Sequence, residues 1–211
     1  MKQINFKSCL NLGVLYLFLI VSGCISIPNS PTPRFYSLSA VNETQVSKKI
    51  NLPSDVIIGV GPVKIPEYLD RPQIVTKNKE KMVQFAQFDR WGESLDLGLA
   101  RLIREDLTAM LPGAKLTLYP WNPSIAVNYQ VVAEVVQLDN ELDKDMHFVV
   151  QWTVIDVQNS KTVIIKRSEF RQPILPQNYS GLAKTLSTAC ASLSSQIAEA
   201  IASFELRGHD T

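Results

Sequence analysis

Histidine and cysteine are scarce in this chain of 211 residues, and their scarcity narrows the chemistry that it can perform. His147 and His209 are its two histidines, and no cluster of His, Cys, Asp and Glu in the sequence has metal-ligand spacing. We interpret His147, in a strand pattern, as a surface or hydrogen-bonded histidine, and His209 as part of a frayed tail. The sequence also lacks a G-x-S-x-G motif and a phosphate-binding glycine loop. We therefore expect no catalysis, no metal site and no cofactor.

An excess of charge of one sign is also missing. The chain carries 21 basic and 20 acidic residues, and Lys2 and Lys7 lie in its first 23 residues. Removal of that stretch would leave 19 basic against 20 acidic residues. Such a balance gives no broad positive electrostatic field. The sequence therefore argues against binding to nucleic acid and against charge-driven binding to an anionic membrane surface.

The N-terminus has the pattern of an export signal. Lys2 and Lys7 precede an apolar run from Cys9 to Val21, which is shorter than the ~20 residues that a spanning helix needs. The tetrad Val21-Ser22-Gly23-Cys24 that follows resembles the lipobox of bacterial lipoproteins. That resemblance implies lipidation of Cys24, removal of residues 1–23 and acylation of the new amino terminus. The alternatives are an ordinary signal peptide with a chance cysteine, and an uncleaved anchor.

The residues after Cys24 form a proline-rich tether that ends at residue 34. Each buried acyl methylene contributes ~0.8 kcal/mol, so the three chains implied by the resemblance would anchor the protein durably in its membrane. Ile25 stands where an aspartate would signal inner-membrane retention, which favours the outer membrane by resemblance to that sorting rule. Nine extended tether residues reach about 28 Å. We therefore expect the domain of residues 35–211 to lie close to its membrane.

The third cysteine, Cys190, has no partner for an intramolecular disulfide once Cys9 is removed and Cys24 is lipidated. An unpaired thiol in an oxidising compartment should be buried. Cys190 lies on the apolar face of a helical pattern, which agrees with that expectation.

Hydrophobic periodicity predicts a single α+β domain. Period-2 or β-branched segments predict strands at 35–38, 56–65, 73–76, 82–88, 116–119, 127–135, 146–154 and 162–170. Gly59 and Gly61 indicate a bulge or close packing within the second of these. A 3.6-residue period predicts one amphipathic helix from about residue 89 to 112 and another from about 178 to 204. The fold predicted is a mostly antiparallel or mixed sheet with two long helices packed on one face.

Two other groups of residues could suggest ligands. The acidic turn carries Asp139, Glu141, Asp143 and Asp145, but it lacks the loop glycine and terminal glutamate of an EF-hand. We interpret it as a solvated hairpin turn, like the charged turn at 77–81.

The three tryptophans fall in different elements and are more simply core or interface anchors than a ligand stack: Trp91, Trp121 and Trp152.

The segment of residues 63–75 resembles a motif of a known protein family. Residues 63–75 read V-x-I-P-x-Y-L-D-R-x-Q-I-V, after the lipobox and the Phe35–Leu38 strand. This arrangement resembles the ABC-type transport auxiliary lipoprotein family. Phe88–Leu95 and Leu193–Ala198 are similar to the family's entrance into its first helix and to its closing helix. The resemblance covers essentially the whole chain after the signal.

The resemblance implies a non-enzymatic accessory component of an envelope lipid-transport system. Its implied partner is a periplasmic protein of the mammalian-cell-entry (MCE) type, carried by an inner-membrane complex and docked or received at the outer membrane. Whether the domain also binds phospholipid, and whether it forms a homo-oligomer that would suit a symmetric partner, stays open. The alternatives are a structural lipoprotein that scaffolds cell-wall or outer-membrane assembly, and a lipid-active hydrolase.

The turn between Pro66 and Pro72 supplies the predicted partner-binding residues. Tyr68, Leu69 and Arg71 stand in this proline-bracketed loop, and aromatic and arginine side chains are favoured interface anchors. The alternative is that Tyr68 and Leu69 fold back onto the core while Asp70 and Arg71 form a local salt bridge.

Overall fold

A computed structural model describes residues 31–41 and 48–208 of the chain, with side chains up to residue 205. The predictions for the signal, for Cys24, for most of the tether and for His209 lie outside the described residues.

The described ranges contain eight strands, two α-helices and one short 3-10 helix. The strands are β1 Arg34–Tyr36, β2 Ile57–Lys64, β3 Gln73–Lys77, β4 Val83–Trp91, β5 Lys115–Leu118, β6 Tyr129–Asn140, β7 Asp145–Asp156 and β8 Lys161–Pro173. The helices are α1 Leu95–Met110 and α2 Tyr179–Gly208, and the 3-10 helix is Glu67–Leu69. Both α-helices were expected from their periodicity.

The strands form two mixed sheets rather than one. The larger sheet has the order β5-β2-β6-β7-β8, in which β2 runs parallel to both β5 and β6, while β6, β7 and β8 form the predicted antiparallel meander. The smaller sheet has the order β1-β4-β3, with β1 parallel and β3 antiparallel to β4. The predicted α+β class with a mixed sheet and two helices is confirmed. The second sheet arises because the chain leaves β2 at the Pro66–Pro72 turn and continues into a separate hairpin.

The core lies between the two helices and one face of the larger sheet. Alternate residues of β6 and β7 pair across the strands on that face, as in Val131 with Val154 and Ala133 with Trp152. The apolar stripe of α1 meets them and the facing stripe of α2. Fully buried side chains from these elements include Ile58, Leu99, Leu102, Ile103, Leu107, Phe148, Leu182 and Leu186.

Both predictions for the glycines of β2 are confirmed. Gly61 adopts a φ of +111°, which L side chains rarely adopt, and the register of β2 on β6 shifts between Val60 and Val63. A Cβ at Gly59 would lie 2.5 Å from the ring of Trp121. The first glycine position therefore permits close packing and the second permits a bulge.

Cys190 is buried on α2, as predicted. Burial raises the pKa of its thiol, and the nearby Asp106 carboxylate adds to that rise. Such a thiol is unreactive, because the nucleophilic thiolate is disfavoured.

Candidate partner-binding surface

The predicted binding residues lie on a tightly wound turn. Three backbone hydrogen bonds close it: Leu69 N–H to Pro66 C=O at 2.9 Å, Asp70 N–H to Glu67 C=O at 3.1 Å and Arg71 N–H to Leu69 C=O at 2.8 Å. Pro66, with φ −57° and ψ 143°, leads into the short 3-10 helix. The backbone of this turn, which joins β2 to β3, is therefore held in one conformation by hydrogen bonds.

The three predicted side chains have different surroundings. Leu69 is only 2 % exposed and belongs to the core. Tyr68 is half-buried against the core; burial raises the pKa of its hydroxyl and the charge of Asp139 adds to the rise. Arg71 is half-buried, and its guanidinium carbon lies 4.0 Å from the centre of the Phe85 ring.

The turn therefore has features of both the partner-binding prediction and its alternative. Leu69 folds back onto the core, whereas Arg71 remains at the surface. Among the ion pairs of the described residues there is none between Asp70 and Arg71, so the local salt bridge considered as an alternative is wrong. The aromatic ring of Phe85 takes the place of the carboxylate, in a contact of the cation–π type.

Arg71 extends an exposed apolar surface at the start of β4. Met82, Val83 and Phe85 are 59 %, 41 % and 49 % exposed. Val83 and Phe85 are two residues apart on the strand and so point to the same side. We call these three residues together with Arg71 the β4 patch. Aromatic, methionine and arginine side chains are enriched in protein interfaces, so the patch has the composition of a binding surface.

Sequence reasoning missed three of the four patch residues. Met82 and Phe85 stand in a strand pattern, where apolar residues at alternate positions ordinarily indicate the face turned to the core. The neighbouring charged turn could have signalled exposure, but it does not say which face of the strand is exposed.

The lysine-rich turn between β3 and β4 is held by the acidic turn between β6 and β7. Lys77 Nζ lies 2.5 Å from an Asp139 carboxylate oxygen, and Lys79 Nζ lies 3.5 Å from that of Asp143. Lys81 donates to Glu141, and that hydrogen bond lowers the pKa of the Glu141 carboxyl. The acidic turn is thus an ion-paired contact between the two sheets, not only a solvated hairpin turn.

These ion pairs position the β4 patch, because they fix the hairpin that carries it. The Asn140 side chain adds a buried hydrogen bond from its amide to the Val75 carbonyl at 3.0 Å. Asp145, the last of the four predicted carboxylates, lies 3.4 Å from Arg171 instead. In the described part of the chain no three His, Cys, Asp or Glu side chains come together as a metal site.

The first described strand is clamped onto β4 beside the end of the tether. Arg34 donates two hydrogen bonds of 2.8 Å to the Asp89 carboxylate, and the Tyr36 hydroxyl donates a third at 2.7 Å. The hydrogen bonds from Arg34 are the main reason why the pKa of Asp89 lies below its ordinary value. The chain therefore enters the domain at a fixed point in the same sheet as the patch.

The other polar residues singled out in the sequence have structural partners. His147 Nε2 lies 2.7 Å from a Glu169 carboxylate oxygen, and its Nδ1 lies 3.2 Å from the Gln137 amide, which confirms a hydrogen-bonded histidine.

Trp152 is buried and donates to the Ser168 hydroxyl at 2.9 Å. Trp91 is also buried, whereas Trp121 is half-buried against Gly59.

One buried carboxylate was not singled out in the sequence. Asp106 on α1 accepts hydrogen bonds from the Val41 N–H at 2.9 Å and the Ser194 hydroxyl at 3.2 Å, and it is inaccessible to solvent. Burial raises its pKa to about 6. It links Val41 to both helices, and its hydrogen-bond partners among the described residues include no histidine.

Neither described helix has an apolar stretch long and uncharged enough to cross a membrane.

Solved structures of other proteins have a similar fold. A crystal structure of an uncharacterized protein is similar with a TM-score of 0.66 and 18 % identity, covering 81 % of this chain and 99 % of that one. Protein XCC0632 from Xanthomonas campestris is similar with a TM-score of 0.62 and 8 % identity, covering 84 % of this chain and 100 % of that one. At these identities the similarity shows the fold. No protein with a curated function matches the chain in sequence.

The sequence model of one family matches most of the described domain. It is the ABC-type transport auxiliary lipoprotein component, and the match spans residues 36–198, from β1 into α2. The match includes the Pro66–Pro72 turn, the β4 patch and the clamp at Asp89, and it agrees with the resemblance expected from residues 63–75. This chain belongs to the family of ABC-type transport auxiliary lipoprotein components.

Proposed function

We propose that this protein is an outer-membrane lipoprotein, anchored through Cys24, that docks the periplasmic MCE-type component of an envelope lipid-transport system. Family membership associates the chain with an ABC-type transport system. The observation that carries the docking role is the β4 patch, where Arg71 of the family-type segment lies 4.0 Å over the exposed ring of Phe85. Of the predicted partner-binding residues, Arg71 and the half-buried Tyr68 are the ones that a partner could touch; the buried Leu69 supports them from below.

The β4 patch lies in the same sheet as β1, the strand that begins at the end of the tether. Arg34 is fixed to Asp89 of β4, and the patch lies at the other end of that strand. The ten residues that follow Cys24, from Ile25 to Arg34, reach about 31 Å if extended. A domain held within that distance of its membrane meets a membrane-facing partner at a raised effective concentration. Ile25 after the lipidated cysteine supports the outer membrane as the site of attachment.

The proposed role is non-catalytic. Three described residues of types used as acid, base or nucleophile have roles in the fold: His147 is hydrogen-bonded, Asp106 holds Val41 and Ser194, and Cys190 is fully buried. A docking component needs an exposed, preorganised surface rather than an activated group, and the β4 patch meets that requirement.

Copurification from solubilised envelopes tests the proposal. The wild-type protein should retain an MCE-domain protein, identified by mass spectrometry. Because truncation of a central interface anchor costs about 2 kcal/mol or more, the double variant Arg71→Ala/Phe85→Ala should retain at least about tenfold less. Leu97→Ala is the matched control, since Leu97 is an exposed apolar residue of α1 outside the patch. Equal retention by the double variant and the wild type would remove the patch from the docking role.

A further inference from the structure

The larger sheet ends in a long strand whose outer edge is unpaired by any described strand. β8 spans 13 residues and is paired with β7 alone, whereas the opposite edge strand β5 has four residues. An edge of this length presents a row of N–H and C=O groups that another extended chain can pair with. Proteins usually shorten or cover such edges.

A groove lies alongside this edge, between β8 and the C-terminal half of α2. Its volume is about 550 Å³. Val163, Ile164 and Phe204 contribute apolar surface beside the buried Trp152, while Gln196 and Glu199 of α2 contribute polar surface. A strand edge beside a helix-lined groove is how several domains bind extended peptides: the main chain adds a strand and alternate side chains enter the groove.

The charges of β8 indicate what such a peptide would carry. The strand has four basic residues, at 161, 166, 167 and 171, against one acidic residue, Glu169. Glu169 and Arg171 are already paired with His147 and Asp145. Within the described residues Lys166 and Arg167 have no carboxylate partner; Lys166 lies 6.0 Å from the Trp152 ring on the groove side. These two cations favour an acidic partner segment.

The same charges disfavour the central pairing register with a second copy of this chain. Antiparallel pairing of β8 with itself about its centre would place Arg167 of one copy opposite Arg167 of the other, and like charges in facing positions destabilise a strand pair. An acidic, apolar segment has the opposite effect. Ile165, which is 63 % exposed, lies on the same face as Arg167, away from the groove, where it can contact the methylene groups of the segment's acidic side chains.

We propose that the β8 edge binds an extended acidic and apolar segment of a partner protein as a sixth strand. Apolar side chains of the segment enter the groove, and its carboxylates, on the opposite face, pair with Arg167, while Lys166 adds positive charge at the side of the groove. This site is separate from the β4 patch and depends neither on lipidation of Cys24 nor on the proposed MCE-type partner.

A nine-residue peptide with capped ends and alternating glutamate and valine is the probe. Fluorescence anisotropy of the labelled probe is measured against the full chain in detergent micelles. Hydrogen exchange read by mass spectrometry then follows the amides of β8. We expect saturable binding, slowing of exchange in β8 by at least about tenfold, and binding at least about tenfold weaker for the same peptide with lysine in place of glutamate.

Two sets of variants locate the site. Lys166→Glu/Arg167→Glu removes the cations and should weaken binding by at least about tenfold. Ala200→Phe should do the same, because Ala200 lines the groove and a phenylalanine there would fill it. Ala191→Phe is its matched control: it is also partly exposed on α2, lies outside the groove, and should bind as the wild type does.

Three results would overturn the proposal. They are equal binding of the lysine peptide, unchanged exchange of the β8 amides at saturation, and wild-type affinity in Lys166→Glu/Arg167→Glu. The charge reversals lie at the surface and preserve the core, so they decide the matter even if Ala200→Phe does not fold. None of these results bears on copurification of an MCE-type protein through the β4 patch, which is tested separately.

Discussion

Replacement of Asp106 by asparagine should stabilise the protein at neutral and alkaline pH. Asp106 is fully buried and accepts hydrogen bonds from the Val41 N–H and the Ser194 hydroxyl. These two bonds favour the charged carboxylate, but burial outweighs them and raises its pKa to about 6. The folded state therefore binds a proton at this site more tightly than the unfolded state does.

The sign and size of the effect follow from that difference. The free energy of unfolding gains a contribution from Asp106 as the pH falls from above the folded pKa of about 6 to below the ordinary value of 3.8. Above pH 6 the carboxylate is charged in both states and its full desolvation cost is present. A rise of about two pKa units at 1.36 kcal/mol each amounts to about 3 kcal/mol.

Asparagine removes the charge while it can keep both hydrogen bonds. Its carbonyl oxygen can accept from the Val41 N–H, and its amide can donate to the Ser194 hydroxyl, which is also an acceptor. We expect Asp106→Asn to raise the free energy of unfolding by up to about 3 kcal/mol at pH 8. The gain should shrink towards zero at pH 4, where most of the wild-type carboxyl is protonated.

Urea unfolding at pH 8 and pH 4, followed by circular dichroism, measures this difference. Asp55→Asn is the control, because Asp55 is exposed in a loop and its replacement should change stability by no more than about 0.5 kcal/mol at either pH. A loss of stability in Asp106→Asn at pH 8, or a gain of equal size at both pH values, would refute the reasoning from burial.

Two further predictions concern the anchor and the core. Cys24→Ala should prevent lipidation, so that mass spectrometry detects no acyl mass and fractionation finds the protein soluble or unprocessed. Gly59→Ala should lower the free energy of unfolding by about 1–3 kcal/mol, because the added Cβ would lie 2.5 Å from the Trp121 ring. Thermal unfolding checks the second prediction, and a melting temperature equal to that of the wild type would contradict it.

The regular elements were predictable because their signals are local. The heptad-like run of α1 and the alternation along β6 and β7 each bury one side of an element, so the sequence period reports the structure directly. The bulge in β2 was also predictable, because Gly61 permits a backbone conformation that other residues resist.

The second sheet was not predictable in this way. It depends on the pairing of β1 with β4, and the clamp between Arg34 and Asp89 joins residues 55 positions apart without a local trace. The pairing of the lysine-rich turn with the acidic turn is equally remote in sequence: each turn was predicted, but not their contact.

The candidate site was predicted in part for the same reason. Arg71 was identified by its place in the Pro66–Pro72 turn, but Phe85, the residue beneath its guanidinium group, lies on another strand. Burial of Leu69 depends on how the turn closes over the core, which the residue types do not specify.

Photo-cross-linking in growing cells tests the docking role most directly. A benzophenone amino acid placed at position 85 should form a covalent adduct with the periplasmic MCE-domain protein on irradiation, whereas the same group at the exposed position 97 should not. Absence of the adduct at position 85 in correctly folded protein, or adducts of equal yield from both positions, would contradict the account.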